Sequence, residues 1–362
     1  GNIDWAVAYV LLPWRMYLHT GDIDVFKHHY PHLKDFITYY GSFKDKRGII
    51  ADGLGDWCPP RWDRKLAPEY MLCHPHVSGT AFYYEALQIV GKMAHKLGEP
   101  DYGDRCFQQA KELNEAFHKT WLKPAEGSKH QYYGSQTATV MALRFGMPPE
   151  NQAADRVAAL LHDIEELRDG HHSCGIHGLR HYYTVLAEHD QEALAYRMLT
   201  DTSFPGPAYI LNQGLSTWPE RQFEWDKEEY RNSFNHPMQG GFTAFMHESI
   251  GGIQPTFEQP GYKHFTMRPH LTKQLDWAKT SMQSPYGTIR SEWQSNPEKF
   301  EWTVEVPPNS TATLHVPFQE GQQLHEGGSP VETGTRLVKE GRRAWLKTEI
   351  GSGRYHFTLK PK

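Results

Sequence analysis

Apolar residues in this chain recur at steps of three and four as far as about residue 250 and alternate one by one after Gly251-Gly252. A side chain returns to the same face about every 3.6 residues on a helix and every two on a strand, so one kind of element cannot serve both patterns. The chain is therefore predicted to be multidomain α + β, with a helical domain over 1–255 and an all-β sandwich over 256–362. A length of 362 residues agrees, because single cores stop growing at roughly 250–300 residues. In the first part Tyr102, Cys106, Ala110, Leu113, Phe117 and Trp121 make one helical stripe, and Ala154, Val157, Leu161, Ile164 and Leu167 make another. Further helices fit about 3–19, 22–40, 79–97, 135–146, 174–188, 190–200 and 237–250, about nine in all. In the second part Phe300, Trp302, Val304 and Val306 face one way and Glu301, Thr303 and Glu305 the other. Ala312, Leu314 and Val316 repeat that alternation, as do Tyr355, Phe357 and Leu359, with turns at 285–287, 307–309 and 327–329.

Composition removes several classes of function. Hydrophobic residues at 38% supply a core, which excludes wholesale disorder. A net charge of −5 without a basic run argues against nucleic acid as a partner. The longest apolar run, Ala6 to Leu12, stops at Pro13, far short of the roughly 20 residues a membrane helix needs, so no membrane partner is expected. Cys58, Cys73, Cys106 and Cys174 follow no CxxC or disulfide spacing. The chain opens Gly1-Asn2-Ile3-Asp4 and enters an apolar helix at once, so its native start is expected upstream and no compartment is read from it.

Three stretches, about 41–78, 122–134 and 201–236, exceed ordinary connectors and carry Trp57, Trp62, Tyr132, Tyr133, Trp218 and Trp225, as expected of the walls of a site. Aromatic rings of this kind suit stacking on sugars, although a large core needs them too. Glu220, in Gly214-Leu-Ser-Thr-Trp-Pro-Glu220-Arg221, sits in an aromatic loop where partial desolvation favours a general base, while Arg221 opposes that effect. An exposed glutamate paired with Arg221 is the bland alternative. In Gly53-Leu-Gly55-Asp56-Trp57 the glycines admit close backbone approach, Asp56 can accept two sugar hydroxyls and Trp57 can stack; a plain Asp turn with a packing Trp is the other reading. His171, His172, Cys174, His177 and His181, and Cys73-His74-Pro75-His76, make a zinc site conceivable, but neither stretch has a known ligand spacing, and surface or capping histidines are expected instead. No GxSxG, Walker or GxGxxG pattern occurs, and neither cofactor nor metal is expected.

The ordered set Trp5, Pro13-Trp14, Gly21-Asp22, Gly55-Asp56-Trp57, Ser216-Thr-Trp-Pro-Glu220-Arg221 and Ser233-Phe-Asn-His236-Pro237 is similar to the α-L-rhamnosidases of glycoside hydrolase family 78. The tail agrees, through Pro260 to Pro269 and Ser284 to Trp293. That resemblance implies an (α/α)6 barrel, here lacking its first helices, then a β-sandwich, and inverting hydrolysis of terminal α-L-rhamnosides or rhamnose-containing polysaccharides. It implies Glu220 as general base, His236 as a sugar-holding residue, and Trp5 and Trp57 as aromatic walls of the subsite, with Asp56 carried in the same motif; Trp218, in the loop beside Glu220, is expected to bind substrate as well. The family's general acid lies in an Arg-Asp-Glu-Arg-like stretch followed by Gly-Trp-x-Gly-Asp, which is absent from this sequence. Val7 stands where many members have Asp, and Pro219 separates Trp218 from Glu220. Without the acid the isolated chain is expected to be slower than its parent by on the order of 10²–10⁴-fold. A non-catalytic rhamnose-binding fragment is the competing class, and another (α/α)6 enzyme a third. A lyase would need a cationic cluster at Glu220, and a phosphorylase a phosphate cradle; neither is found.

Overall fold

The computed structural model describes residues 2–60, 73–222, 224, 233–331 and 333–361; Trp62 and Trp225 lie outside them. The described chain divides into two compact units. The first comprises Gly1–Trp14, Phe26–Val185 and Arg197–Phe242, and the second Arg15–Val25, Leu186–Tyr196 and Thr243–Lys362.

The described helices are α1 (Ile3–Ala6), α2 (Ala8–Thr20), α3 (Ile23–Gly41), α4 (Pro75–Lys96), α5 (Pro100–Trp121), α6 (Gln136–Arg144), α7 (Glu150–His162), α8 (Ile176–Glu188), α9 (Glu192–Thr200), α10 (Pro207–Asn212) and α11 (Thr243–Phe245). The stripe predicted on α5 is present, with Cys106, Ala110, Leu113 and Phe117 buried and Tyr102 and Trp121 partly covered near its ends. The stripe predicted on α7 is corrected. Ala154 and Leu167 are exposed, and Val157, Ala159, Leu160 and Ile164 take the interior. At the far end a π-helical turn at Asp163–Leu167 shifts the angular phase of the stripe's last member, Leu167, and Asp163 within it is buried. Asp163 accepts hydrogen bonds from the Tyr132 hydroxyl at 3.0 Å and the Gln136 amide at 2.6 Å. Tyr132 and Tyr133 are thus core residues rather than walls of an open site, and Tyr133 is bonded to His118 at 2.8 Å. Their segment carries a minimal antiparallel pair, β1 (Lys123–Pro124) with β2 (Gln131–Tyr132). The predicted last helix is instead a 3₁₀ turn at Pro237–Phe242, then α11, then a π turn at Met246–Ile250.

In the second unit the strands are β3 (Ile253–Pro255), β4 (His264–Met267), β5 (Trp277–Ser284), β6 (Gly287–Ser295), β7 (Phe300–Val306), β8 (Thr311–Phe318), β9 (Gln322–Glu326), β10 (Ser329–Pro330), β11 (Thr335–Glu340), β12 (Arg343–Ile350) and β13 (Gly353–Pro361). They form a six-stranded sheet, β10-β9-β13-β7-β6-β5, and a five-stranded sheet, β11-β12-β8-β4-β3. The alternation read on β7 is observed, with Phe300, Trp302, Val304 and Val306 buried. On β8 every residue from Ala312 to Val316 is buried. That strand is interior to its sheet, antiparallel to β12 and parallel to β4. Trp293, Trp302 and Trp345 fill the core, the indole N–H of Trp302 reaching Ser291 Oγ at 3.0 Å and that of Trp293 reaching the Ile250 carbonyl at 2.8 Å. Arg343 ties the β11–β12 hairpin to the Leu186–Tyr196 segment of the same unit, pairing with Asp190 at 2.8 Å and Glu192 at 2.5 Å. Replacing Trp302 by Ala is expected to cost ~3–5 kcal/mol, since it opens a cavity and strands the Ser291 hydroxyl. Chemical denaturation checks this; a loss below about 1 kcal/mol would remove Trp302 from the core in energetic terms.

Candidate active site

The Gly-Asp-Trp loop is held from both sides by buried carboxylates. Asp56 is 1% exposed. It accepts hydrogen bonds from the backbone amides of Gly175 at 2.5 Å and His177 at 2.9 Å, and from the Thr137 hydroxyl. Those amides lie at the start of α8, where unsatisfied N–H groups and the helix dipole favour negative charge. The next residue completes the latch, as Ile176 N donates to the Trp57 carbonyl at 2.9 Å. Gly175 is required by the fit, because a Cβ there would stand 2.1 Å from the Trp57 oxygen. Burial pushes Asp56 up from 3.8 to about 6, and the hydrogen bonds from Thr137, His177 and Gly175 oppose that rise. The structure thus places the Asp56 carboxylate inside the protein, occupied by protein donors, where the sequence reading offered it to sugar hydroxyls.

Asp4, which the sequence reading passed over, does the same on the other flank. One carboxylate oxygen takes the amides of Leu54 at 2.5 Å and Gly55 at 3.1 Å and the Ser78 hydroxyl at 3.2 Å. Asp52 returns the tie by accepting from Ile3 N at 2.8 Å. Gly53, at φ 136°, passes so close to the Pro75 carbonyl that a Cβ would lie 2.3 Å from it. Burial raises Asp4 from 3.8 to about 7, against the hydrogen bonds from Leu54, Ser78 and Gly55. The only hint in the sequence was an acid immediately before an exposed aromatic.

Between these anchors the aromatic groups meet. The rings of Trp5 and Trp57 lie edge to face at 6.4 Å, and Trp5 remains 43% exposed. His177 supports Trp5 from below at 5.4 Å and packs on Phe82 at 4.9 Å. Burial pushes His177 down to about 4, so it is a neutral packing ring near neutral pH. The Arg221 guanidinium lies 5.7 Å from the Trp57 ring centroid, a cation–π contact. Arg221 brings its neighbour Glu220 into the same locality. Glu220 is partly exposed; its amide donates to the Ser233 carbonyl at 2.9 Å, and its carboxylate takes the Ser233 amide at 3.4 Å. The two segments pair again where His236 N donates to the Trp218 carbonyl at 2.7 Å. His236 Nδ1 accepts from Met238 N at 3.2 Å, which leaves the ring proton on Nε2. The Trp218 ring packs at 5.0 Å on Phe242, the last residue of the 3₁₀ turn.

The histidine-rich stretches divide. His74 caps α4 by accepting from His76 N at 3.1 Å, whereas His172 and His177 are buried rather than on the surface. Among the described residues no cluster of three His, Cys, Asp or Glu is disposed to hold a metal ion, and no helix is long and apolar enough to cross a membrane. All four cysteines are buried.

Comparison with known proteins decides the family. The bacterial alpha-L-rhamnosidase 6 hairpin glycosidase domain matches residues 1–250, and the bacterial alpha-L-rhamnosidase C-terminal domain matches residues 252–329. The chain belongs to the bacterial α-L-rhamnosidase family. A relative named alpha-L-rhamnosidase from Formosa agariphila is 41% identical over 355 residues, 98% of this chain and 37% of the relative. The alpha-L-rhamnosidase of Dictyoglumus thermophilum superposes with a TM-score of 0.88 at 26% identity, covering 99% of this chain and 40% of that one. The Streptomyces avermitilis alpha-L-rhamnosidase, solved with L-rhamnose, gives 0.82 at 26% identity, covering 98% and 33%. This chain therefore spans well under half the length of these relatives. Its architecture is theirs: a helical six-hairpin glycosidase domain followed by a C-terminal β-sandwich, as the sequence resemblance implied.

The anchoring carboxylates give a pH prediction. Between 3.8 and about 7 the folded chain keeps on Asp4 a proton that the unfolded chain releases, so this group's effect on stability declines as pH rises through that window and levels off above it. Asp4→Asn keeps the size and an acceptor for Leu54 and Gly55 but carries no titration. Its stability relative to the parent should improve by roughly 1–4 kcal/mol between pH 4 and 8. Parallel curves in thermal unfolding across that range would contradict the assignment.

Proposed function

We propose that this chain serves the inverting hydrolysis of terminal non-reducing α-L-rhamnosyl residues in rhamnosides or rhamnose-containing polysaccharides, supplying the general base and part of the rhamnose subsite. In this reading residues 1–255 belong to the catalytic domain and 256–362 to the sandwich. The observation that carries it is the meeting of Trp5, on α1, with Trp57, and of Trp57 with Arg221, the residue after Glu220, where Gln239 also holds the Glu220 carbonyl. The names of the relatives, and the L-rhamnose held by one of them, support the choice of sugar.

Inversion needs a water between sugar and base, with the acid on the opposite side and the two carboxyl groups about 6.5–9.5 Å apart. Glu220 would take the proton of that water as its oxygen attacks the anomeric carbon from the face opposite the departing group. The acid partner is assigned to none of this chain's residues. Trp5 and Trp57 would present apolar ring faces to the sugar, excluding water and orienting the ring. His236, with its proton on Nε2, would donate to a hydroxyl. Trp218 would act by fixing its loop, its ring packed on Phe242 of the 3₁₀ turn and its carbonyl holding His236 N. Asp56 would act at one remove, by fixing the direction of Trp57.

In the full polypeptide encoded by its gene, Glu220→Gln should lower kcat on 4-nitrophenyl α-L-rhamnoside by about 10²–10⁴-fold with L-rhamnose affinity nearly retained. Retained turnover would exclude Glu220 as base. Proton NMR of the parent reaction should show β-L-rhamnose as the first product, and initial α-anomer would reject inversion. Trp57→Ala should weaken L-rhamnose binding by about 1–2 kcal/mol, read by calorimetry against L-fucose and D-mannose; unchanged affinity returns Trp57 to a packing role. Selective rhamnose binding without any turnover in the full polypeptide would favour a carbohydrate-binding function instead.

A further inference from the structure

Gln239 occupies a position that the sequence did not single out. Its side chain is wholly buried. The Nε2 amide donates to the Cys58 carbonyl at 3.0 Å and to the Glu220 carbonyl at 3.3 Å. Its Oε1 accepts from the Gln222 amide at 3.5 Å. One primary amide thus spends its two N–H groups on two loops, one ending in the candidate aromatic wall and the other carrying the candidate base. Cys58 follows Trp57 directly and has φ 54°, a left-handed backbone that a side chain with a Cβ disfavours. The surroundings must hold such a residue, and Gln239 grips its carbonyl. On the preceding peptide Ile176 N grips the Trp57 carbonyl, so two successive carbonyls of the turn are fastened by different elements.

We infer that Gln239 is a positioning residue that joins the Trp57 loop to the Glu220 loop and fixes the spacing between aromatic wall and base. The inference rests on the roles proposed for Trp57 and Glu220, and it adds that their geometry depends on a side chain that touches no sugar. The chemistry of the tie is specific. Asn is one methylene too short to span both carbonyls. Met fills the volume without donors. Glu would aim an acceptor at two carbonyl oxygens.

The test begins with amide hydrogen exchange followed by mass spectrometry on this chain, comparing the parent with Gln239→Met and Gln239→Asn. Exchange should rise at least about tenfold in residues 53–58 and 218–222 together, while α5 stays protected. An unchanged rate in either loop overturns the inference. If Gln239→Met loses protection throughout, the Asn variant decides by the same criterion. The second arm is a double-mutant cycle on L-rhamnose affinity. Gln239→Met should weaken binding about tenfold when Trp57 is present and less than twofold in a Trp57→Ala background. Equal losses in both backgrounds would make Gln239 a merely structural residue. Should Trp57→Ala alone leave affinity unchanged, the sugar role of Trp57 fails, and the exchange arm still decides whether Gln239 couples the loops.

Discussion

The candidate site depends first on a carboxylate that never faces solvent. Asp56 replaces its water shell with two backbone amides at the start of α8 and one threonine hydroxyl. Hydrogen bonds to a charged group contribute more than neutral ones, and their loss from a buried carboxylate would leave the charge unsolvated. The loop that bears Trp57 is therefore fastened to the start of α8. Asp4 applies the same device to Leu54 and Gly55 and pins the other end of the loop near the exposed ring of Trp5. Burial raises both groups above the ordinary carboxylate range, because desolvation disfavours the charged form and the hydrogen bonds only partly offset it.

This arrangement separates holding from contacting. Trp5, Trp57, Glu220 and His236 keep some exposure, whereas Asp4, Asp56, Gln239 and His177 are buried. Catalytic geometry tolerates displacements well below an ångström, so the base proposed on this irregular loop would need support of this kind. The first unit provides it through backbone carbonyls and amides, whose positions are set by helices α4 and α8. The second unit is stabilised differently, by tryptophans between two sheets and by the Arg343 pairs with Asp190 and Glu192.

Much of the fold could be read from apolar spacing, because burial imposes a simple period on an element with one hidden face. The stripe of α5 and the alternation of β7 follow that rule closely. The stripe on α7 did not follow it: Ala154 is exposed within the helix, and at its end a π turn over Asp163–Leu167 turns Leu167 out of register and holds a buried carboxylate bonded to Tyr132 and Gln136. Tyr132 and Tyr133 were read as site walls for a related reason: composition reports that a segment is aromatic, and only packing reports which way the rings turn. The loop containing Asp56 was recognised as important, and its ligand-facing residue was mistaken, because a carboxylate among glycines looks the same whether it meets a sugar or a helix terminus.

From residue order alone came the change of period at Gly251-Gly252, the helical and β parts, and the ordered motifs around Trp5, Asp56, Glu220 and His236. These signals are local or ordered along the chain, so they survive in one dimension. The closure of the site belongs to three dimensions. Asp56 is 119 residues from Gly175 and 121 from His177, and Gln239 is 181 from Cys58. A hydrogen bond between such distant partners leaves no periodic trace, because it is specified by distance and direction in space, and those exist only once the helices have packed.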